Sequence, residues 1–539
     1  MIAGGSLRGT LVLGAAILLA SCSQEKTGPT TTASAAAAAS APHAVETVAW
    51  RKPEGASTDA VFAIAREINK PVFLYWGAVW CPPCNQVKRT VFQRPDFIAV
   101  SRKFVPVYVD GDAPGAQQIG ERFHVRGYPT MIVLRPDQTE ITRLPGEVDA
   151  ARYLEALDLA LNATSSVKSL LQSAQSGAAL DAAAWRRLAY YAWEQDAAQV
   201  LPAKNSATVL WDVAQRCPSN IQDLRLRLLT RAASRSEQDH KPIASSQSML
   251  LLDGLQTVLT QPTLTRELMD VLSNDVDTLY AALKSSKSPS RDTLVRGWQQ
   301  QLQVWSRDTT LGAADRLSAM AAWVHLARLE APSTEKDKAQ PPPPWVTETI
   351  GAIAAQVSDS HERQAVIPAA ADLLSEIGRV EDSNSLLQSE LPRAVAPYYH
   401  MLMLSNNARK QGNTGAALDW AERAWKASLG PATRLQWGTS YMSRLIDLAP
   451  QDEGRIAQTL QTLLQEVDIV PENFVHRNAK QMERLGGALQ RWSAHKPQRV
   501  KALQAAKTEW EKRCAGLPAG NPTLATCRGV FAPSKVRET

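Results

Sequence analysis

Cys81 and Cys84 lie three residues apart in the run Gly77-Ala78-Val79-Trp80-Cys81-Pro82-Pro83-Cys84, and a helical pattern follows to about Phe92. Three-residue spacing on a helix brings two sulfurs onto one face, close enough to bridge. A cysteine at a helix start faces unpaired backbone N–H groups and the positive end of the helix dipole. Both favour the thiolate, which is the nucleophile in disulfide exchange. Cys81, the more exposed member, is expected to attack a disulfide, and Cys84, one turn further in, to resolve the mixed disulfide. Pro82 and Pro83 carry no N–H. Two potential donors to the Cys81 thiolate are therefore missing, which points to a reductant or mid-potential exchanger rather than a strong disulfide donor.

The elements around this pair alternate. Val61, Ile64, Ala65 and Ile68 fall at helical spacing, Lys70-Pro71 ends that helix, and Val72-Phe73-Leu74-Tyr75-Trp76 reads as a buried strand. A second strand is expected over 104–110, with Pro106 near its start, where a missing N–H is tolerated. Ile119 and Phe123 mark a short helix. Segments 130–135 and Glu140–Leu144 form a hairpin around Pro136-Asp137, and Asp149 is placed to cap a last helix to about Leu161. The order β-α-β-α-β-β-α predicts a small sheet between helices.

Two motifs in this stretch, residues 48–164, resemble the thioredoxin family. Trp80-Cys81-Pro82-Pro83-Cys84 matches the family's Trp-Cys-x-x-Cys site, and Gly127-Tyr128-Pro129-Thr130 matches its cis-proline loop. The resemblance implies a thioredoxin-like α/β fold, a cis Pro129 opposite the cysteines, and backbone pairing of substrate at Tyr128. Trp80, Pro82, Tyr128 and Pro129 would then line the substrate groove. One departure stands out. The family's buried Asp, six residues before the first cysteine, is replaced by Tyr75, and its lysine partner by Val107. Asp110, Asp112 and Glu121 read as loop and surface carboxylates without a role. The pattern is closer to exported thioredoxin-like domains, including the terminal domain of membrane electron-conducting disulfide reductases. Copper chaperones of this fold use a wider cysteine spacing and a distant histidine. His124 is better read as surface or core.

The N-terminus has the layout of a processing signal over 1–21: Arg8, an apolar run over 11–20, then small residues. Leu19-Ala20-Ser21-Cys22 resembles the lipobox of bacterial lipoproteins, implying lipidation at Cys22; an ordinary secretory signal is the alternative. Ser23 after the cysteine implies, by the same resemblance, the outer membrane facing the periplasm. Residues 22–47 are rich in Ser, Thr and Ala and read as a flexible tether. Of the six cysteines, Cys514 and Cys527 are expected to form a structural disulfide in an oxidising compartment, and Cys217 to be a buried small hydrophobe. The eight histidines show no i,i+4 pair, so no metal site is expected.

Beyond residue 164 strand signals fade. Leu294, Trp298, Leu302 and Trp305 trace one helical face, as do Ile456, Leu460, Leu463 and Val467. Breaks at Lys241-Pro242, Gln261-Pro262 and Gly430-Pro431 suit antiparallel helix pairs. Most of the fifteen tryptophans lie here and are expected to fill helix contacts. Gly412-Asn413-Thr414-Gly415-Ala416-Ala417-Leu418, with Ala421 and Ala424, resembles half of a tetratricopeptide repeat. The expected organisation is a helical domain over 165–330, a proline-rich loop over 331–345, a second helical domain over 346–513, and a disulfide-bearing tail over 514–539. The whole is an α/β domain followed by a large all-α, solenoid-like region.

Composition narrows the function. The charge of +6 over 539 residues is dilute and no block of five like charges occurs, which gives no clustered basic face for nucleic acid. No phosphate-cradling loop and no nucleophile elbow is visible, and no cofactor is expected. The expectation is a periplasmic, membrane-tethered thiol–disulfide oxidoreductase of the reducing kind. Its helical region would recruit disulfide-bearing client proteins, and a membrane-embedded reductase would donate its electrons. The rival expectation is a non-catalytic scaffold or assembly lipoprotein whose disulfide is structural.

Overall fold

The computed structural model describes residues 47–146, 149–196, 199–285, 290–331, 342–494 and 496–531. The signal-like segment, Cys22, all but the last residue of the 22–47 tether, residues 332–341 of the proline-rich stretch and the last eight residues of the tail, 532–539, lie outside the described residues.

Helix α1 (Asp59–Glu67) buries Val61, Phe62 and Ala65 along one side. Strand β1 (Val72–Gly77) is buried at every residue, which is why its sequence is continuously apolar instead of alternating. Helix α2 (Pro82–Val87) opens on two prolines, whose fixed φ and missing N–H suit a first turn, and Lys88–Phe92 continues it as a wider π turn. Helix α3 (Pro95–Val100) is an element the sequence reading did not place. Strand β2 (Val105–Asp110), helix α4 (Ala116–Arg122), the hairpin strands β3 (Thr130–Leu134) and β4 (Glu140–Leu144), and helix α5 (Ala150–Leu161) complete the unit. The Asp149 carboxylate accepts from the Ala151 N–H and caps α5 as its position suggested.

The sheet order is β2-β1-β3-β4, with β1 parallel to β2 and antiparallel to β3, and β3 antiparallel to β4. An exposed edge strand invites pairing with other chains, and both edges here are met by the chain itself. At β2 the Arg51 N–H donates to Pro106 O and the Tyr108 N–H donates to Arg51 O, both at 2.9 Å. At β4 the Ala192 N–H donates to Arg143 O at 3.1 Å, a bond that comes from the helical region.

The two sheet faces have different fates. Leu74, Trp76, Val107, Ile132 and Leu134 pack beneath α1 and α4 as a local core. Phe73, Tyr75, Met131 and Val133 belong to a larger core that runs on through Trp185, Trp211 and Trp298 to Trp437 and Trp510. The α/β unit and much of the helical region therefore share one hydrophobic core.

Within the helical region, Pro397–Lys410 and Thr414–Ala427 form a close pair. Ala417, Ala421 and Ala424 are buried between them, and the Ser405 hydroxyl donates to Ala417 O at 2.6 Å. The small residues picked out in the sequence permit this approach. Pro344 is the first residue of helix Pro344–Gln356, so the end of the proline run starts a helix. The Cys514–Cys527 disulfide ties the end of helix Pro497–Cys514 to helix Thr523–Gly529, with Cα atoms 5.9 Å apart. Closing so short a loop stabilises by about 3 kcal/mol on chain-entropy grounds. Cys217 is buried, and burial pushes its thiol up to about 12, so it stays protonated and unreactive.

Candidate functional site

The loop between β1 and α2 delivers the cysteines to the C-terminal end of the sheet. Cys81 is the N-cap residue of α2, and its Sγ accepts from the Cys84 N–H at 3.2 Å. With Pro82 and Pro83 between them, this amide is the first in the helix able to reach the sulfur. Cys81 and Cys84 form a disulfide with Cα atoms 5.2 Å apart. The Tyr128–Pro129 peptide is cis, as the resemblance implied.

Asn85, one residue past the pair, is fully buried. Its Nδ2 donates to Val79 O at 2.7 Å and Cys81 O at 2.9 Å, which fixes the loop that presents the cysteine. Its Oδ1 lies 2.6 Å from His361 Nδ1. Since the Asn85 amide nitrogen is spent on carbonyls, Oδ1 is the acceptor, and His361 must carry its proton on Nδ1. Burial, then the Lys88 charge, holds the His361 pKa below its ordinary value, so this is the neutral tautomer.

Behind Cys84 the familiar carboxylate is absent. Tyr75 is buried, its hydroxyl donates to Cys84 O at a long 3.5 Å, and its ring stacks on Tyr108 at 5.1 Å. Burial, then the charges of Tyr108 and Asp110, raise its pKa well above a normal phenol. It stays protonated and cannot take a proton from Cys84. The Lys88 ammonium sits 5.5 Å from the Tyr108 ring centre, and burial lowers its pKa against the pull of Asp110.

The expected exposure of Cys81 is corrected by the structure. Cys81 is 2% exposed and Trp80 9%, and four helices of the helical region pack against Trp80. From helix Ser360–Glu376, Gln364 Nε2 donates to Trp80 O at 3.2 Å. From helix Pro397–Lys410, Tyr399 stacks on the Trp80 ring at 6.1 Å. From helix Pro431–Leu448, Trp437 meets it edge-on at 5.0 Å, and Thr433 Oγ1 accepts from Trp80 Nε1 at 2.8 Å. From helix His476–Ser493, the Arg477 guanidinium lies 5.0 Å from the Trp80 ring and 4.7 Å from that of Tyr128. On the proline side, Gln195 Nε2 donates to Pro129 O at 3.1 Å. Pro82 and Pro83 remain partly exposed.

Asp112 is also corrected, from a surface carboxylate to an anchor. Its Oδ1 accepts from the Thr433 N–H at 2.7 Å and its Oδ2 from the Thr433 hydroxyl at 2.5 Å. Trp80, Thr433 and Asp112 thus form one hydrogen-bonded chain across the contact. Gly430 turns into this helix with φ +86°, and a Cβ there would lie 2.5 Å from Asp112 Cγ. Only glycine gives both the backbone conformation and the room. Sequence reading missed Thr433, Gln364, His361 and Arg477 because nothing near them in the chain marks their shared destination, and missed Asn85, though it follows Cys84 directly, because its side-chain partners are backbone carbonyls and a distant histidine.

His476 gives this contact a pH dependence. Its ring meets Trp76 edge-on at 5.9 Å and abuts Gly120, with Glu121 3.6 Å away. Burial, helped by Lys480 and Arg477 and opposed by Glu121, lowers its pKa to about 4. The unfolded chain binds that proton near ~6.5, so the neutral form's stability is full above that value and is lost as pH falls toward 4. At about 1.4 kcal/mol per unit the loss by pH 4 is roughly 3 kcal/mol. Asp112, whose pKa burial raises, works in the opposite sense. Melting temperature measured from pH 6.5 to 4.5 should fall with acid, and less steeply in His476→Asn; identical slopes would exclude this residue as the source.

The comparisons agree with the geometry. Residues 58–161 match the family model of a thioredoxin-like domain. Two proteins of Pseudomonas aeruginosa, thiol:disulfide interchange proteins DsbD 1 and DsbD 2, are each 31% identical, over 106 and 103 residues. These alignments cover 19% and 18% of this chain and 18% of each relative. An H-type thioredoxin of Brassica oleracea is 28% identical over 75 residues, covering 14% of this chain and 56% of that protein. The chain thus spans under a fifth of the length of the interchange proteins it matches. Fold, cysteine pair, cis-proline loop and relatives define a thioredoxin-like domain with a Cys-x-x-Cys disulfide, joined here to a large helical region.

Proposed function

We propose that the protein is a periplasmic thiol–disulfide reductase, tethered to a membrane through lipid on Cys22, whose helical region recruits protein clients. The observation that carries this reading is the Cys81–Cys84 disulfide at the start of α2, with the Trp80 ring 5.5 Å from that of Tyr128, whose bond to Pro129 is cis. In the reduced protein the Cys81 thiolate attacks one sulfur of a client disulfide. A mixed disulfide forms and the other client sulfur leaves as a thiolate, taking a proton from water. Cys84, its proton lost to water, then attacks Cys81 Sγ; the Cys81–Cys84 disulfide is restored, and the second client sulfur leaves as a thiolate that takes a proton from water, so the client departs as a dithiol. Two electrons pass from the cysteine pair to the client. They must be resupplied by a dithiol donor, and the likeness to interchange proteins supports a membrane-embedded reductase in that role. The N-terminal layout supports export and anchoring.

The scaffold reading is favoured by one observation, the burial of Cys81. Trapping separates the two. In cells, Cys84→Ala should accumulate mixed disulfides through Cys81 that dissolve on adding reductant. An empty trap, together with no insulin reduction by the wild-type chain, would sink the reductase and leave the scaffold.

A further inference from the structure

The groove that a client disulfide must enter is already filled by the chain's own residues. Gln364, Tyr399, Thr433, Trp437 and Arg477 surround Trp80, and Gln195 holds Pro129 O. A disulfide exchange step needs nearly in-line access to the attacked and attacking sulfurs, and at 2% exposure Cys81 offers none to a folded protein. We propose that the helical region is a built-in clasp that shuts the redox centre, and that the Trp80–Thr433–Asp112 hydrogen-bonded chain is its latch.

Three features mark the contact as a built closure and not incidental packing. First, it is polar as well as aromatic: the latch carries a carboxylate bond to both the N–H and the hydroxyl of one residue. The polar part of this contact is specific in register and can separate into water, where its groups are again satisfied; the Trp437 ring, part of the shared core, must leave Trp80 at the same time. Second, Gly430 has no side chain where any Cβ would strike Asp112, so the helix start sits as close as its backbone allows. Third, one further helix of the clasp, Ser360–Glu376, reaches the backbone of the cysteine loop, through Gln364 to Trp80 O and through His361 to the Asn85 amide that holds Val79 O and Cys81 O. The clasp therefore grips the loop that carries the nucleophile. Opening it would expose Trp80, Tyr128 and Pro129 together, the surface the reductase reading assigns to the client. The inference rests on that reading for its purpose, but its geometry does not.

The test uses the full chain, gently reduced, with iodoacetamide as probe and modification read at the Cys81 peptide by mass spectrometry. Alkylation in the native protein should be at least about a hundredfold slower than in guanidinium-unfolded chain at the same pH, because it waits on local opening. Thr433→Val and Gly430→Ala should each speed native alkylation about tenfold by weakening the latch. A native rate within about threefold of the unfolded rate would overturn the clasp, and this comparison needs no variant to fold. Latch variants that fold but react no faster than wild type would overturn it as well. Insulin reduction keeps the two readings apart. Variants that alkylate fast and still fail to reduce insulin would defeat the reductase and leave the clasp standing. A wild-type chain that reduces insulin as fast as the latch variants would defeat the clasp and leave the reductase.

Discussion

Cys81→Ser should abolish turnover in insulin reduction, by at least about a thousandfold, since the attacking atom itself is lost. A serine hydroxyl is not ionised near neutral pH and forms no bond with sulfur that a second thiol can exchange. The same change should empty the trap made by Cys84→Ala, because every mixed disulfide runs through Cys81. Cys84→Ala alone should behave differently: the first attack survives and the second is missing, so one equivalent of client is captured and turnover stops. The contrast between the two substitutions is the diagnostic, and it is read on a non-reducing gel beside the insulin assay. Equal, undiminished phenotypes for both would place the disulfide in a structural role.

Trp80→Ala should cost about 3–5 kcal/mol of stability, in the range for deleting a buried tryptophan. Its ring touches Tyr128, Tyr399, Trp437 and the Arg477 guanidinium, and its N–H begins the chain to Asp112. Trp80→Phe keeps most of the packing and drops the N–H, so it should cost about 1 kcal/mol, the worth of one hydrogen bond. Urea unfolding measures both, and Cys81 alkylation should quicken in the order wild type, Phe, Ala. A loss below about 1 kcal/mol for Trp80→Ala would mean that the helices contribute little to holding the site.

The local chemistry was legible from local spacing. The start of α2 after β1 makes Cys81 an N-cap and sets Cys84 one turn on, and both facts follow from residues 72–92 alone. Asp149 capping α5 and the buried alanines of the Pro397–Ala427 pair were equally readable, because each depends on neighbours a few residues away. Helix α3 was missed: its six residues hold too little periodicity to distinguish it from a turn. Asp112 was misread for a different reason. A short carboxylate in a glycine-flanked loop looks solvated unless its partner is known, and that partner is 321 residues away.

From its amino acids alone the chain determined a cysteine pair at a helix start, a cis-proline loop and an apolar helical mass to follow, since each is encoded by contiguous residues. What the tertiary structure alone decided is that this mass folds back over Trp80, beside that pair. Periodicity marks a helix face as buried but carries no label for what buries it, and contacts such as Trp80 with Thr433, 353 residues on, arise only when the whole core assembles.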